Sequence, residues 1–373
     1  MVADTQLTSS IAPLIVSFTD STELTHIAMA LISARRLLIA FLLLCVSAVL
    51  VVGASFLAMR QYLAAPLTLP EEPVIIQIEP GRSLQQIANR LAAEGYLAWP
   101  RALVLWARWQ GIDRRIHSGE YALSAGTTPK ALMDLLISGR VVQYPVTFVE
   151  GWTVNQVLEN LWQRDNIERV LSDLTDEDIH AALETSLPAL EGSLFPDTYF
   201  YTRGTTDLEI LRRANTRLIQ VLTEEWQQRA AGLPYESSWQ ALIMASIIER
   251  ESGYQAEKQD IAGVFIRRLQ TGMRLQSDPT VIYGMGNSYT GVIYRSDLDT
   301  TTAYNTYRIN GLPPTPIAIA GRDSIHASLQ PNAGTALYFV SRGDGSHQFS
   351  DTLAEHNAAV QRYLRGGADT GDN

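Results

Sequence analysis

The chain of 373 residues contains one cysteine and two lysines, and it has no long run of basic residues. Because Cys45 lies inside an apolar segment, the rest of the chain offers neither a disulfide nor a thiol nucleophile. The net charge of −10 argues against a nucleic-acid-binding protein. The six histidines lack the short spacings typical of metal ligands, so we expect no metal site. Ser246 and Ser252 lie in no nucleophile-elbow pattern, which disfavours a serine hydrolase.

One long hydrophobic run is present near the N-terminus. Residues 37–59 carry no charge and would span about 34 Å as a helix, slightly more than the hydrocarbon core of a bilayer. Arg35 and Arg36 precede this run and only Arg60 directly follows it, which favours a cytoplasmic N-terminus and an exported C-terminal part. A cleaved signal peptide is the alternative, but the run is long for one and no good cleavage site follows it. We therefore predict a single transmembrane anchor.

The remaining chain divides by composition. Polar residues before the apolar run predict a disordered tail, and three prolines after it predict a stalk. The predicted order is a cytoplasmic tail at 1–34, a transmembrane helix at 37–59, a stalk at 61–73, a small module at 74–165, a larger domain at 166–365 and a disordered tail at 366–373.

The small module is predicted from a pattern that occurs three times. A glycine is followed by Ser or Thr two residues later, by an aliphatic residue at the sixth position and by Leu at the tenth. The three copies begin at Gly81, Gly126 and Gly151. Such a pattern is typical of a turn, an N-cap and the buried face of a helix, so we expect small strand-turn-helix units in an α+β module. The unequal intervals argue against a solenoid, and chance recurrence in an α/β protein is the alternative.

A candidate catalytic acid lies on a later helix. Counting back from Glu251, the apolar residues Ile248, Ile247 and Met244 fall on the same helical face, so this carboxyl group is expected to face the protein core. Burial favours the neutral acid, and so does the negative end of the helix dipole if Gly253 ends the helix. A protonated carboxyl group near neutral pH is suited to general-acid catalysis, although most single glutamates on helices lie on the surface or have structural roles.

The neighbouring charges on that helix give a contrasting expectation. Glu249 and Arg250 fall away from the apolar face, and we expect them to be solvated.

After this helix and the next, the chain becomes rich in Tyr, Asn, Asp, Gln and Pro with little helical periodicity, over 275–283, 303–307 and 311–316. Rigid aromatic and amide side chains on irregular backbone are suited to a polar ring such as a sugar.

Five motifs together resemble the endolytic murein (lytic) transglycosylases of the MltG/YceG-like family. The resemblance covers about residues 74–365. The motifs are EGSLFPDTY at 191–199, ASIIERES at 245–252, MRLQSDPTVIYG at 273–284, YNTY at 304–307 with GLPP at 311–314, and EHN at 355–357.

This resemblance implies an α+β fold with a LysM-like exported module followed by a YceG-like catalytic domain. It places the family's catalytic acid, the second Glu of Glu-x-Glu-Ser/Thr, on Glu251. The implied reaction cleaves the β-1,4 bond between N-acetylmuramic acid (MurNAc) and N-acetylglucosamine (GlcNAc) and leaves a 1,6-anhydro-MurNAc end, without metal or cofactor. The implied location is the bacterial inner membrane, with the catalytic domain in the periplasm near peptidoglycan synthases.

Lesser candidates surround this acid. Asp278 is the best second carboxylate and Asp197 the next, although Asp-Pro is often only a turn. Gln276, Asp278, Tyr304 and Asn305 are candidate sugar contacts, with loop packing as the alternative role of each. Two other functions stay open. A muramidase-type hydrolase would leave reducing ends, and a non-catalytic peptidoglycan-binding scaffold would keep its function without Glu251.

Overall fold

The computed structural model describes residues 21–365 and divides the chain into two compact units, 1–140 and 141–373. The expected tail at 366–373 and the first 20 residues of the tail at 1–34 lie outside the described residues. Residues 21–34 were expected to be disordered, but they form the start of helix α1 (Ser21–Ala64). The stretch Met29–Ala64 is long and apolar enough to cross a membrane, and none of its most apolar part is buried in the protein.

The first unit continues with a small α+β arrangement. Its elements are β1 (Val74–Ile78), α2 (Leu84–Ala93), α3 (Pro100–Trp109), β2 (Gly119–Leu123) and α4 (Pro129–Ser138). The two strands pair antiparallel, with Val74 opposite Leu123 and Ile78 opposite Gly119. Ile76, Ile78, Tyr121 and Leu123 are buried, so alternate residues of both strands face the core of the unit.

The predicted stalk is more ordered than expected. Helix α1 runs five residues past Met59 to Ala64, and Leu67 beyond it is buried. The amide of Leu67 donates to the carbonyl oxygen of Thr127 at 2.7 Å, so the segment after α1 is held against the unit. The unit ends at Arg140, whereas the module was predicted to extend to residue 165.

The three-fold sequence pattern describes real turns and caps. Gly81, Gly126 and Gly151 all have φ between 80° and 86°, a left-handed conformation that glycine adopts without strain. The Ser or Thr two residues later caps a helix each time, with Ser83 before α2 and Thr128 before α4. Thr153 caps α5 (Val154–Trp162), but that third copy belongs to the second unit. The pattern therefore marks a local unit that recurs, and it does not mark a single module.

The second unit is a helical core with three small two-stranded sheets. Before its central helix lie β3 (Tyr144–Thr147), α5, β4 (Ile167–Glu168), α6 (Asp176–Leu183), β5 (Thr198–Tyr201), β6 (Thr205–Thr206) and α7 (Asp207–Gln227). The remaining elements are α8 (Ser238–Glu251), α9 (Lys258–Gln270), α10 (Asp278–Met285), α11 (Arg295–Asp299), α12 (Arg322–Leu329), β7 (Tyr338–Ser341), β8 (His347–Ser350) and α13 (Leu353–Val360). β3 pairs antiparallel with β5, β4 parallel with β6, and β7 antiparallel with β8.

Helix α8 lies at the centre of this unit. It packs against α7, α9, α10 and α12. Its eight consecutive residues from Ala241 to Ile248 are all buried, so it is enclosed on every side and is not the amphipathic helix that the sequence predicted. Its C-terminal end approaches the surface, and that end carries Glu251.

Candidate active site

The predicted acid is the last residue of α8. Glu251 follows the buried residues Ile247 and Ile248, and its side chain is only partly exposed. Burial raises the pKa of its carboxyl group from 4.5 to about 7, and the negative charge of Asp278 adds to the rise. The predicted position in the last helical turn is confirmed, with Ser252 as the C-cap. This glutamate can hold a proton near neutral pH, as a general acid requires.

A serine side chain contacts this carboxyl group directly. The hydroxyl of Ser277 donates to Oε1 of Glu251 at 2.5 Å, and Ser277 is itself buried. The amide of Ser277 donates in turn to Oγ1 of Thr306 at 2.9 Å, which joins the loop before α10 to the loop around 306. The bond from Ser277 favours the charged form of Glu251 and so opposes the rise in its pKa. Ser277 therefore orients the carboxyl group of Glu251 and limits the rise in its pKa.

Asp278 begins α10 next to this pair. Its side chain is exposed, and its Oδ1 accepts a hydrogen bond of 2.6 Å from the hydroxyl of Tyr307. Burial raises the pKa of Tyr307, as does its bond to Asp278, so the phenol stays a donor. The structure thus brings the predicted second carboxylate close enough to Glu251 to affect its ionisation.

One buried arginine supplies positive charge near the acid. Arg268 on α9 donates from Nε to the carbonyl oxygen of Leu337 at 2.7 Å and from Nη1 to that of Leu275 at 2.5 Å. Its charge lowers the pKa of Glu251, whereas burial lowers the pKa of the guanidinium group itself. Arg268 thus links α9 to the segments that lead into β7 and α10, and it limits how far the pKa of Glu251 can rise.

The expectation for Glu249 was wrong. Its side chain is 5% exposed and pairs with Lys258, also 5% exposed, at 2.9 Å between Oε1 and Nζ. Oε2 of Glu249 accepts from the amide of Gly321 at 3.0 Å. The face of α8 that periodicity assigned to solvent is covered by the start of α9 and by the loop before α12. Arg250, by contrast, is exposed as expected.

A second carboxyl group with a raised pKa, that of Glu191, was not predicted from the sequence. Oε1 of Glu191 accepts from the amides of Val154 and Gly192 at 3.2 and 3.1 Å, and Oε2 lies 3.3 Å from the hydroxyl of Tyr283. Burial raises the pKa of Glu191 to about 7. Glu191 and Tyr283 line a cavity of about 560 Å³ together with Arg250. The signal available in the sequence was that Glu191 and Tyr283 each lie in one of the five motifs.

The other predicted contacts have different environments. Gln276 is exposed beside the acid and has φ of 51°, so its backbone is left-handed. The ring of Tyr304 packs edge-on against Tyr283, and its hydroxyl lies 2.8 Å from Oγ1 of Thr315.

The amide group of Asn305 is used within its own loop. Its Nδ2 donates to the carbonyl oxygens of Asp297, Leu298 and Thr300, and its Oδ1 accepts from the amide of Tyr307. Asn305 is 1% exposed, so the structure shows it organising the loop and does not bring it to the surface of the site. Asp197 accepts from the neighbouring Thr198 amide, away from these contacts.

No group of three or more histidine, cysteine, aspartate or glutamate side chains within residues 21–365 is arranged to hold a metal ion. The chemistry that these side chains can supply is proton transfer. Glu251 has the raised pKa, the partial exposure and the hydrogen-bonded hydroxyl that such a step uses.

The sequence profile of the YceG-like family matches residues 76–362 of this chain. The chain is 31% identical over 332 residues to the endolytic murein transglycosylase of Bacillus subtilis, covering 84% of this chain and 91% of that protein. It is 25% identical over 325 residues to the endolytic murein transglycosylase of Streptococcus pneumoniae D39, covering 78% of this chain and 58% of that longer protein. A crystal structure of a YceG-like protein from Listeria monocytogenes matches with 26% identity and a TM-score of 0.47, covering 78% of this chain and all of that one.

Proposed function

The chain belongs to the YceG-like family, and on this basis we propose that it is an endolytic murein transglycosylase. Two curated relatives that carry this name align with most of the chain. The observation that supports the proposal most directly is the position of Glu251. It is a half-buried acid with a pKa of about 7 at the exposed end of a buried helix.

In the proposed reaction, Glu251 first acts as general acid. Its carboxyl proton moves to the glycosidic oxygen while the bond between C1 of MurNAc and that oxygen breaks. Positive charge then develops at C1 as an oxocarbenium-like state. A pKa near 7 leaves a large fraction of the acid protonated at neutral pH, and the low polarity around α8 keeps it so.

In the second step, Glu251 acts as base. Its carboxylate takes the proton from the C6 hydroxyl of the same MurNAc, whose oxygen attacks C1 and closes a 1,6-anhydro ring. The proton lost in the first step is thereby regained, and no water is consumed. Ser277, which donates to Oε1 at 2.5 Å, stabilises the carboxylate between the two steps.

This route needs one carboxyl group, because the nucleophile belongs to the substrate. General acid-base help of this type contributes on the order of 10²–10⁴ in rate. Asp278 and the neighbouring Gln276 are exposed beside Glu251, and we assign them to substrate contact. Tyr304 and the buried Asn305 support the loop that carries Tyr307, and Tyr307 donates to Asp278.

The proposed location is the bacterial inner membrane, with α1 as a single anchor and the second unit in the periplasm. The apolar length of α1 supports a single membrane span. The excess of arginine before the apolar run supports this orientation. An endolytic enzyme anchored there would act on nascent glycan strands and limit their length. Peptidoglycan synthases of elongation or division complexes would be its neighbours. The part of the first unit from β1 onward would be the LysM-like module.

The test is mass spectrometry of products from purified, uncrosslinked glycan strands incubated with the full-length chain in detergent. We expect internal 1,6-anhydro-MurNAc ends from the wild type and none above background from Glu251→Gln. The matched control is Glu236→Gln, which changes an exposed glutamate just before α8 that lies outside all five motifs. It should leave the product pattern unchanged.

Each other result would point to a different function. Reducing ends would favour the muramidase, with Asp278 as its second carboxylate. Anhydro ends from both the wild type and Glu251→Gln would show that another residue is the general acid. Binding without cleavage by a folded wild-type chain would favour the non-catalytic scaffold.

A further inference from the structure

Three large apolar side chains of the first unit are turned outward. Trp99, Leu105 and Trp109 are 73%, 66% and 74% exposed, and all three lie on α3 or directly before it. Trp106 is half-buried on the neighbouring side of the same helix. Folding of the unit leaves this apolar surface uncovered, and exposed patches of this kind usually mark an interaction surface. We call these four residues the outer face of α3.

The outer face of α3 lies beside the end of the long apolar helix. A cavity of about 1080 Å³ separates the last turns of α1 from α3. It is lined from α1 by Phe56, Met59 and Leu63 and from α3 by Leu105, Trp106 and Trp109. Trp106 and Trp109 of α3 therefore lie across this cavity from Phe56, Met59 and Leu63, at the level of the last turns of α1.

The connection between α1 and α3 is short and ordered. The hydroxyl of Tyr62 donates to the carbonyl oxygen of Trp99 at 3.3 Å. The amide of Thr68 donates to the carbonyl oxygen of Tyr96 at 3.0 Å. These bonds tie the end of α1 and the segment after it to the loop that leads into α3. The outer face of α3 therefore keeps its level relative to α1.

That level is the boundary between apolar and polar surroundings. The uncharged run ends at Met59 and Arg60 follows. If α1 spans a bilayer, the residues from Phe56 to Leu63 lie where acyl chains meet the headgroups. Tryptophan is enriched at this depth because its ring is apolar and its N–H is polar.

The charge of the same segment is opposite to that of the chain. Residues 99–115 contain four arginines and one aspartate, a net charge of +3, whereas the whole chain carries −10. Arg101 is exposed on the same side of α3 as Leu105. Arg108 lies near Asp113, its Nε 3.9 Å from Oδ2, on an exposed surface. Basic residues next to a membrane helix attract anionic lipid headgroups.

We propose that the outer face of α3 docks on the phospholipid leaflet from which α1 emerges, with lipid acyl chains filling the cavity between α1 and α3. Its tryptophans would lie at the headgroup level and its arginines against anionic phosphates. The first unit would then contact the membrane surface through α3 as well as being anchored in it through α1. This inference rests on the membrane anchoring of α1 in the proposed function.

The experiment uses the full-length chain with Cys45→Ala, reconstituted into vesicles of phosphatidylcholine and phosphatidylglycerol at 3:1. Single cysteines carry an environment-sensitive fluorophore, and lipids with a doxyl group near the headgroup act as quenchers. Leu105→Cys tests the outer face of α3. Ile75→Cys is the matched control, because Ile75 is an exposed apolar residue on the outer side of the β1–β2 sheet. Phe56→Cys tests α1 itself.

We expect strong lipid quenching at positions 105 and 56 and little at position 75. Quenching at 56 without quenching at 105 would overturn the docking and leave the anchor intact. No quenching at 56 would overturn the anchor, and the docking with it. A fluorophore at position 105 that is shielded from aqueous iodide but not quenched by the lipids would show that protein covers this face. That result also overturns the inference.

A charge variant provides the second measurement. Arg101→Gln in the Leu105→Cys background should lower the ratio of docked to undocked molecules about fivefold in the anionic vesicles. The same variant should have almost no effect in vesicles of phosphatidylcholine alone. An equal effect in both lipid mixtures would contradict the proposed contact with anionic headgroups. Because Arg101 is exposed, the variant is not expected to disturb folding.

Discussion

At the scale of single residues, the protonation of Glu251 reflects opposing neighbours. Burial and Asp278 raise its pKa, whereas Ser277 and Arg268 lower it. The balance near 7 lets one carboxyl group serve in turn as acid and as base at neutral pH. Substitutions on the two sides of this balance should therefore move the pKa in opposite directions.

We predict opposite shifts in the pH–activity profile from two neighbouring substitutions. A general acid loses activity as pH rises through its pKa, so the wild type should have an alkaline limb near pH 7. Ser277→Ala should move that limb to higher pH, and Asp278→Asn should move it to lower pH, each by up to about one pH unit. The measurement is kcat/KM for anhydro-product formation between pH 5 and 9. Shifts in the same direction would contradict the assignment of Glu251 as the titrating acid.

Glu191 should make stability depend on pH in a defined window. Its carboxyl group has an ordinary pKa of 4.5 when unfolded and about 7 in the folded chain. The folded state therefore favours the protonated form, and its contribution is complete below pH 4.5 and lost as pH rises through 7. The loss should be at most about 3 kcal/mol.

Thermal unfolding of the detergent-solubilised chain between pH 4 and 8 measures this window. Glu191→Gln keeps an acceptor for the Val154 and Gly192 amides and removes the titration, so its melting temperature should fall less with pH than that of the wild type. Glu251 titrates in the same range and is the control, since Glu251→Gln should remove a separate part of the slope. An unchanged slope in Glu191→Gln would show that this carboxyl group does not couple to folding.

At the scale of elements, the end of α8 is fixed by a buried ion pair. Lys258 begins α9, and its pairing with Glu249 closes the reversal of the chain between the two helices. Since Glu249 also accepts from the Gly321 amide, the pair ties α8, α9 and the loop before α12 together. Glu251 lies two residues beyond, so its position depends on this junction.

Lys258→Met should destabilise the second unit by about 3–5 kcal/mol, because it leaves the charge of Glu249 buried without a partner. The double variant Lys258→Met with Glu249→Gln should recover a large part of that loss. Melting temperatures of the single and double variants form a double-mutant cycle. Independent, additive effects of the two substitutions would show that the pair is not coupled.

Local patterns in the sequence predicted local structure well. The predicted helix that carries Glu251 and the predicted helix after it lie at Ser238–Glu251 and Lys258–Gln270, and the glycine-Ser/Thr pattern identified three caps. The contacts of Glu249 and Glu191 could not be predicted in the same way. The partners of Glu191, Val154 and Tyr283, are 37 and 92 residues away, and periodicity carries no information on such pairs.

At the scale of the whole molecule, the boundary between the two units has a testable consequence. The structure divides the chain after Arg140, and residues 141–165 supply Val146, Phe148, Val157 and Leu161 to the core of the second unit. The sequence had placed this stretch in the first module, because the third copy of the turn-and-cap pattern resembles the other two.

A fragment of residues 141–373 should fold and cleave dissolved glycan strands, because every residue assigned to the site lies within it. A fragment of residues 166–373 should fail to fold, since it lacks β3 and α5 and exposes their apolar partners. Circular dichroism with thermal melting tests folding, and product analysis tests cleavage. Equal folding of both fragments would support the boundary at 165.

The burial of Lys258 has a consequence for chemical labelling. The chain contains only one other lysine, Lys130, and its side chain is 59% exposed. An amine-reactive reagent applied to the folded protein would therefore modify Lys130, while the Lys258 amine reacts only after α8 and α9 separate. Amine coupling would attach the native molecule through its first unit. The appearance of label on Lys258 would report opening of the junction that carries Glu251.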